Sequence, residues 1–239
     1  MPLRGVIITR PEPGLSETAS AVAQSGWVPV LAPALRIEHC VVGHLPRHPA
    51  ALLLTSGQAV GVAAEAVSLS VPVFAVGNRT AQKAQAAGFT TVWSARGDAQ
   101  ALALLVAGRC KSGQGPLLLF SGAGQGMDLA NTLRAHGFKV VRRVAYRAEA
   151  VADFPATLRQ ALHARQIAAI LFFSAQSAQN WLAGVPRGTL RAQVRSLRAV
   201  VISDAVAQAV REAGWLGPVD VATTPDAPAM LEALGAFTS

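Results

Sequence analysis

Tyr146 is the only tyrosine among 239 residues, and it stands in the stretch KVVRRVAYRAEA with Arg142, Arg143 and Arg147 around it. A phenol can donate a hydrogen bond or a proton to a leaving oxygen, and a guanidinium can grip a carboxylate or phosphate with two parallel bonds. That combination points to chemistry on an anion. Strand alternation predicts Arg142 on the side of Tyr146, and Arg143 and Arg147 on the other.

Four further stretches carry small hydroxylic or glycine residues where a strand gives way to a helix: LTSGQAV (54–60), VGNRTAQ (76–82), FSAQSAQ (173–179) and ISDAVAQ (202–208). In a parallel sheet that edge faces the ligand crevice, and the first amides of the helices there favour negative groups. Ser56, Thr80 and Ser174 also suit plain helix capping. Four equivalent turns in one chain fit a cleft for acidic groups better than capping alone.

Other constellations fail in detail. SGAGQGMD (121–128) follows a strand and opens a helix, but Met127 stands where a dinucleotide loop needs its third glycine, and Arg142 and Arg143 replace the acid that should end the next strand. Ser121 lacks the glycine two positions earlier that a nucleophile elbow requires. His39, His44 and His48 lie within ten residues, yet Pro46 and Pro49 deny them a helical face, so a polar linker is expected rather than a metal site. Cys40 and Cys110 have no ligand spacing and suggest neither disulfide nor zinc.

The elements that must position these residues alternate regularly. Short apolar runs, GVIIT, ALLLT, VPVFAVG, PLLLF, AAILFF and RAVVIS, precede alanine-rich helices over Leu15–Gln24, about Ala59–Ala66, Thr80–Ala87, Asp128–Ala135, Ala178–Leu182 and Ala205–Ala213. Glycines 26, 88, 137 and 214 follow four of these helices as stops. Strands buried on both faces and alternating with helices mean a parallel sheet and an α/β class. The chain also repeats itself: Gly26 matches Gly137 at an offset of 111, Ser56 matches Ser174 at 118, Gly88 matches Gly214 at 126, and Asp98 matches Asp226 at 128. Offsets that drift smoothly are those of a tandem duplication with loop insertions, hence two similar lobes with a cleft between them.

Composition narrows the partners. Hydrophobic residues make up 51%, ample for real cores, and the apolar runs stop far short of the roughly 20 residues that span a membrane. The opening residues show no signal-peptide core, so a cytoplasmic protein is expected. Lysine and arginine total 21 against 13 acids, 18 of them arginine, which favours a polyanionic partner. The basic residues are scattered and no nucleic-acid-binding motif is present, so an acidic small molecule is favoured over nucleic acid.

Taken in order, Thr9-Arg10-Pro11, Thr55-Ser56 with Ala59-Val60, Ala75-Val76-Gly77 with Thr80-Ala81, Tyr146, and Phe172-Phe173-Ser174 resemble the uroporphyrinogen-III synthase family over about residues 3 to 235. The resemblance implies two similar flavodoxin-like lobes with parallel sheets joined by a two-stranded linker. By analogy one lobe is 1–37 plus 150–239 and the other 41–145, with connectors near 36–41 and 145–150. It implies a monomeric, cofactor-free lyase that closes hydroxymethylbilane, with inversion of ring D, into uroporphyrinogen III of tetrapyrrole (haem) biosynthesis, through an azafulvene and a spiro intermediate. No metal, membrane or nucleic acid is implied; a transient contact with the preceding enzyme of the pathway is a further expectation. Tyr146 is then the residue that helps the ring A hydroxyl leave. Thr9, Arg10, Thr55, Ser56, Gly77, Thr80, Ser174, Arg147 and Arg198 are the expected carboxylate-binding set. The sequence departs from the family pattern at Ser121 and Gly126, where arginines are frequent, and at Ala205 and Val206, where threonines are usual. Two other readings stay open: a two-lobed binding or sensor protein, including a synthase that has lost activity, and a nucleotide-dependent oxidoreductase.

Overall fold

The protein is described here from a computed structural model covering residues 4–12, 14–151 and 153–237, so the outermost residues of the expected first lobe, 1–3 and 238–239, lie outside it. In chain order the elements are β1 (Gly5–Ile8), α1 (Gly14–Gln24), β2 (Val28–Leu31), β3 (Leu35–His39), β4 (Ala51–Leu54), a 3-10 turn (Gly57–Ala59), α2 (Val60–Ala66), β5 (Val73–Ala75), α3 (Asn78–Ala86), β6 (Val92–Ser94), α4 (Ala99–Arg109), β7 (Leu117–Gly122), α5 (Met127–Ala135) and β8 (Val140–Ala150). There follow α6 (Ala156–His163), β9 (Ile167–Phe172), α7 (Ala175–Gly184), α8 (Thr189–Arg195), β10 (Arg198–Val201), α9 (Asp204–Glu212), β11 (Val219–Val221) and α10 (Ala227–Leu234). Gly26, Gly88, Gly137 and Gly214 adopt φ of 83°, 99°, 82° and 82°, the left-handed conformation that ends a helix and that a Cβ would penalise.

The chain divides into two units, one formed by residues up to Arg36 together with those from Glu149 on, the other Ile37–Ala148. The first holds a five-stranded parallel sheet ordered β11-β10-β9-β1-β2. The second holds β3-β8-β7-β4-β5-β6, in which β8 through β6 are parallel. The Cys40 amide donates to Ala145 O, and the Val151 amide to Ala34 O, so β3 and β8 run in opposite directions. Both crossings of the chain between the units fall within this ribbon.

Leaving out the antiparallel β3, and counting the strands as β1, β2, β9, β10, β11 in the first unit and β7, β8, β4, β5, β6 in the second, both sheets have the order 2-1-3-4-5 of flavodoxin-like proteins. Each unit takes its first two strands from one sequence repeat and its last three from the other. The polar residues that match between the repeats turn out to be caps. Asp98 accepts from the Gln100 and Ala101 amides and Asp226 from Ala229, while Ser56 accepts from Gln58 and Ser174 from Ser177.

Every residue of β1, β4, β5 and β7 is buried, as the unbroken apolar runs require. In the first unit Ile7, Ile170 and Phe172 pack with Trp181 on one face, and Val6, Ile8 and Leu171 with Val22 and Met230 on the other. In the second, Leu53, Leu117 and Leu119 meet Leu102 and Leu133, while Leu52, Leu118 and Phe120 meet Val60 and Phe89. Each such side chain stabilises the fold by about 1.5–3 kcal/mol, enough to hold the strand ends where the chemistry is expected.

Candidate active site

In the second unit the predicted residues collect at the carboxyl ends of neighbouring strands. Leu54 registers with Phe120 of β7 and Ala75 of β5, which puts Thr55 at the level of Ser121 and Val76. Ser56, extended at φ −155°, caps the 3-10 turn, accepting from the Gln58 amide at 3.2 Å. Thr55 differs: its Oγ1 is shielded from solvent yet has no hydrogen-bond partner. Such a group costs roughly 1–3 kcal/mol unless something answers it. Helix α3 starts two residues earlier than the alanine pattern predicts, so Gly77 rather than Thr80 is its cap, and Gly77 offers no side chain to the first amides. Thr80 is buried inside the first turn.

Tyr146 lies on the same edge. Strict alternation fails in β8: Ser121 registers with Val144 but Gly122 with Tyr146, so one extra residue is bulged into β8. The bulge reverses the expected facing. Arg142 points to α5, its Nε 3.2 Å from Met127 Sδ and its Nη1 donating to Ser121 Oγ at 3.4 Å. Tyr146 instead joins Ala145, Leu118 and Phe120 in the opposite core, on the face of Arg143, whose Nη2 donates to His44 O. The Tyr146 ring is 6% exposed, and its hydroxyl donates to Gln125 Oε1 at 3.3 Å. Arg147, one residue on, is exposed.

In the first unit β1 ends at Ile8 beside Leu171, and Val201 of β10 registers with Phe172. Thr9 is fully buried and donates to Leu171 O at 2.7 Å, a bond that ties the two strand ends together. Arg10 lies over the Phe173 ring, 4.5 Å from its centroid, and donates to Thr18 Oγ1 on α1. Ser174 caps α7 from the Ser177 amide and gives its own proton to Ser177 Oγ. Arg198 stands apart from all of these. It opens β10 at the amino edge, paired to Asp220 at 2.6 Å, with its other nitrogens on Leu234 O and Ala233 O at the end of α10.

Two residues, Lys83 and Gln125, were missed by the sequence reading, and the partner of Arg142 was not foreseen. Lys83 lays its side chain against Gly57, so that a Cβ there would lie 3.5 Å from Nζ. Gln125 reaches Tyr146 from a turn 21 residues away, and Arg142 reaches Ser121 over the same separation. Burial pushes the Cys110 thiol up from its ordinary pKa, which leaves it a poor nucleophile at neutral pH.

Two doubly wound α/β units, with hydroxyls and helix amides gathered at their strand ends and a phenol in the second, are built like proteins that take ligands at the carboxyl edge of a parallel sheet. A family model described as uroporphyrinogen-III synthase HemD matches residues 16–232. The chain belongs to the uroporphyrinogen-III synthase family, cyclising lyases of porphyrin and haem biosynthesis. Among solved structures, the uroporphyrinogen-III synthetase of Helicobacter pylori superposes with a TM-score of 0.63 at 16% identity, covering 96% of this chain and 97% of that one. A mutant uroporphyrinogen III synthase from the extremely thermophilic bacterium Thermus thermophilus superposes with a TM-score of 0.52 at 21% identity, covering 96% of each chain. Sequence comparison with the curated proteins finds no significant match. Among the described residues no helix is long and apolar enough to cross a membrane.

Proposed function

We propose that this synthase uses Tyr146 to assist departure of the ring A hydroxyl of hydroxymethylbilane, and binds the substrate's carboxylates at its strand-end turns. The observation that carries this reading is the solvent-shielded, unanswered hydroxyl of Thr55 at the end of β4, beside the uncapped first turn of α3 at Gly77. Fixed amides and hydroxyls of this kind stabilise an anion without reorganising. Arg10, held by Phe173, supplies a guanidinium in the first unit, and Ser56, Thr80 and Arg147 serve in the second. Thr9 and Ser174, whose protons are already committed, contribute by fixing their turns.

The substrate brings its own reactive carbon, so the protein needs geometry and charge placement more than a nucleophile. A monomer working in the cytoplasm, with transient contact to the enzyme that makes hydroxymethylbilane, completes the reading. Incubation with enzymatically generated hydroxymethylbilane should yield uroporphyrinogen III. Formation of uroporphyrinogen I alone, the spontaneous product, would leave a binding or sensor protein as the better account.

A further inference from the structure

Gln125 is an exposed turn residue whose backbone is pinned at both ends. Its amide donates to Gly122 O at 3.1 Å, and its carbonyl accepts from Ser121 Oγ at 2.9 Å. Gly124 at φ 72° supplies the positive dihedral that this reversal demands at its third residue, and Gly126 at φ 80° follows. Between two residues without side chains, Gln125 turns its own side chain back over the sheet edge to take the Tyr146 hydroxyl. The rest of the phenol sits in an apolar cluster. A ring so placed has one polar tether, and that tether comes from a surface turn held by Ser121, itself approached by Arg142.

We propose that Gln125 is the positioning residue of Tyr146, an inference that rests on the reading of Tyr146 as the acid. In the free protein the amide oxygen accepts the phenol's hydrogen bond and fixes the ring over Gly122. In the reaction the phenol's proton passes to the departing hydroxyl, which leaves as water with the electrons of the broken C–O bond. The pyrrole nitrogen's lone pair supplies the new double bond of the azafulvene cation, and a phenolate remains. The Gln125 amide then turns about its last torsion, which is soft, and donates N–H to the phenolate oxygen. A carboxylate in its place can accept but not donate, and a thioether does neither well.

The test pairs turnover with the 13Cζ resonance of the protein's single tyrosine, which reads the contact whether or not catalysis occurs. Gln125→Met should move that resonance and lower kcat about 10-fold, the worth of one hydrogen bond, with little change in KM. In the Tyr146→Phe background the same substitution should cost nothing more. Gln125→Glu should keep the resonance near its original position and still lose kcat. The proposal is overturned by a resonance that Gln125→Met leaves in place, by equal losses in both backgrounds, or by full activity in Gln125→Glu. Tyr146→Phe at the full rate would sink the acid assignment and this proposal with it, whereas an unmoved resonance sinks the proposal alone.

Discussion

The ring of Tyr146 closes over Gly122 so tightly that a Cβ on that glycine would lie 2.9 Å from the ring's Cζ and 3.0 Å from Gln125 Oε1. Glycine is therefore demanded by the tyrosine rather than by the backbone. Gly122→Ala should push the ring off its tether, costing about 1–3 kcal/mol of stability through overpacking. It should also lower kcat while the carboxylate-binding turns, and so KM, stay as they are. Melting curves and steady-state kinetics on the same preparation check both halves, and an unchanged melting temperature would contradict the packing argument.

Tyr146→Phe keeps the apolar ring and removes only the hydroxyl. Because a phenol is a weak acid, turnover should fall roughly 10- to 100-fold, at and below the lower end of what general acids contribute. Single-turnover rates of uroporphyrinogen III formation measure this, and an unchanged rate would dismiss the acid role.

Much of this arrangement was legible in the chain. The apolar runs and helix-stop glycines placed the main strands and helices, since burial on both faces leaves few other patterns. The repeat offsets exposed two related halves, and Ser56 and Ser174 do cap their helices, as their residue types allow. What stayed hidden depended on contacts without a sequence period. A one-residue bulge, invisible to alternation, moved Tyr146 to the face opposite Arg142. Gln125 and Lys83 reach the site through turn geometry and side-chain length. Arg198 looked like a cation for substrate, but its position at the first residue of β10 puts it on the amino edge, where it closes a helix end.

Thr55→Val replaces an unanswered buried hydroxyl by a methyl of similar shape. The variant should be more stable by about 1 kcal/mol, because an unsatisfied polar atom is removed. It should also bind substrate more weakly, with KM rising several-fold, the trade expected where a site holds strain for its ligand. A rise in melting temperature with unchanged KM would show that the hydroxyl serves nothing.

Arg198 and Arg10 should separate cleanly. Arg198→Met removes two charged hydrogen bonds to α10 carbonyls and should cost roughly 2 kcal/mol of stability without changing KM. The partly exposed Asp220 pair adds little to that. Arg10→Met, with an apolar stem that still covers Phe173, should raise KM and leave the melting temperature within a degree or two. Thermal melts beside Michaelis curves decide the matter, and a KM effect at Arg198 would return it to the binding set.

Asp226 sets a pH dependence. Its carboxylate accepts from the Ala229 amide at the start of α10 and from Thr224 Oγ1, and these bonds, the backbone one first, hold its pKa below the usual 3.8. A carboxyl depressed in the folded state is ionised there while its unfolded counterpart still binds protons. Its contribution is therefore complete above the unfolded pKa and lost as pH falls through the folded one. Melting temperature should decline below about pH 4 partly on this account. Asp226→Asn keeps a good cap but cannot titrate, so its melting temperature should fall less steeply on the acid side while matching the parent more closely near pH 3 than at neutrality. Parallel acid profiles for the two proteins would mean that other carboxylates carry the whole slope.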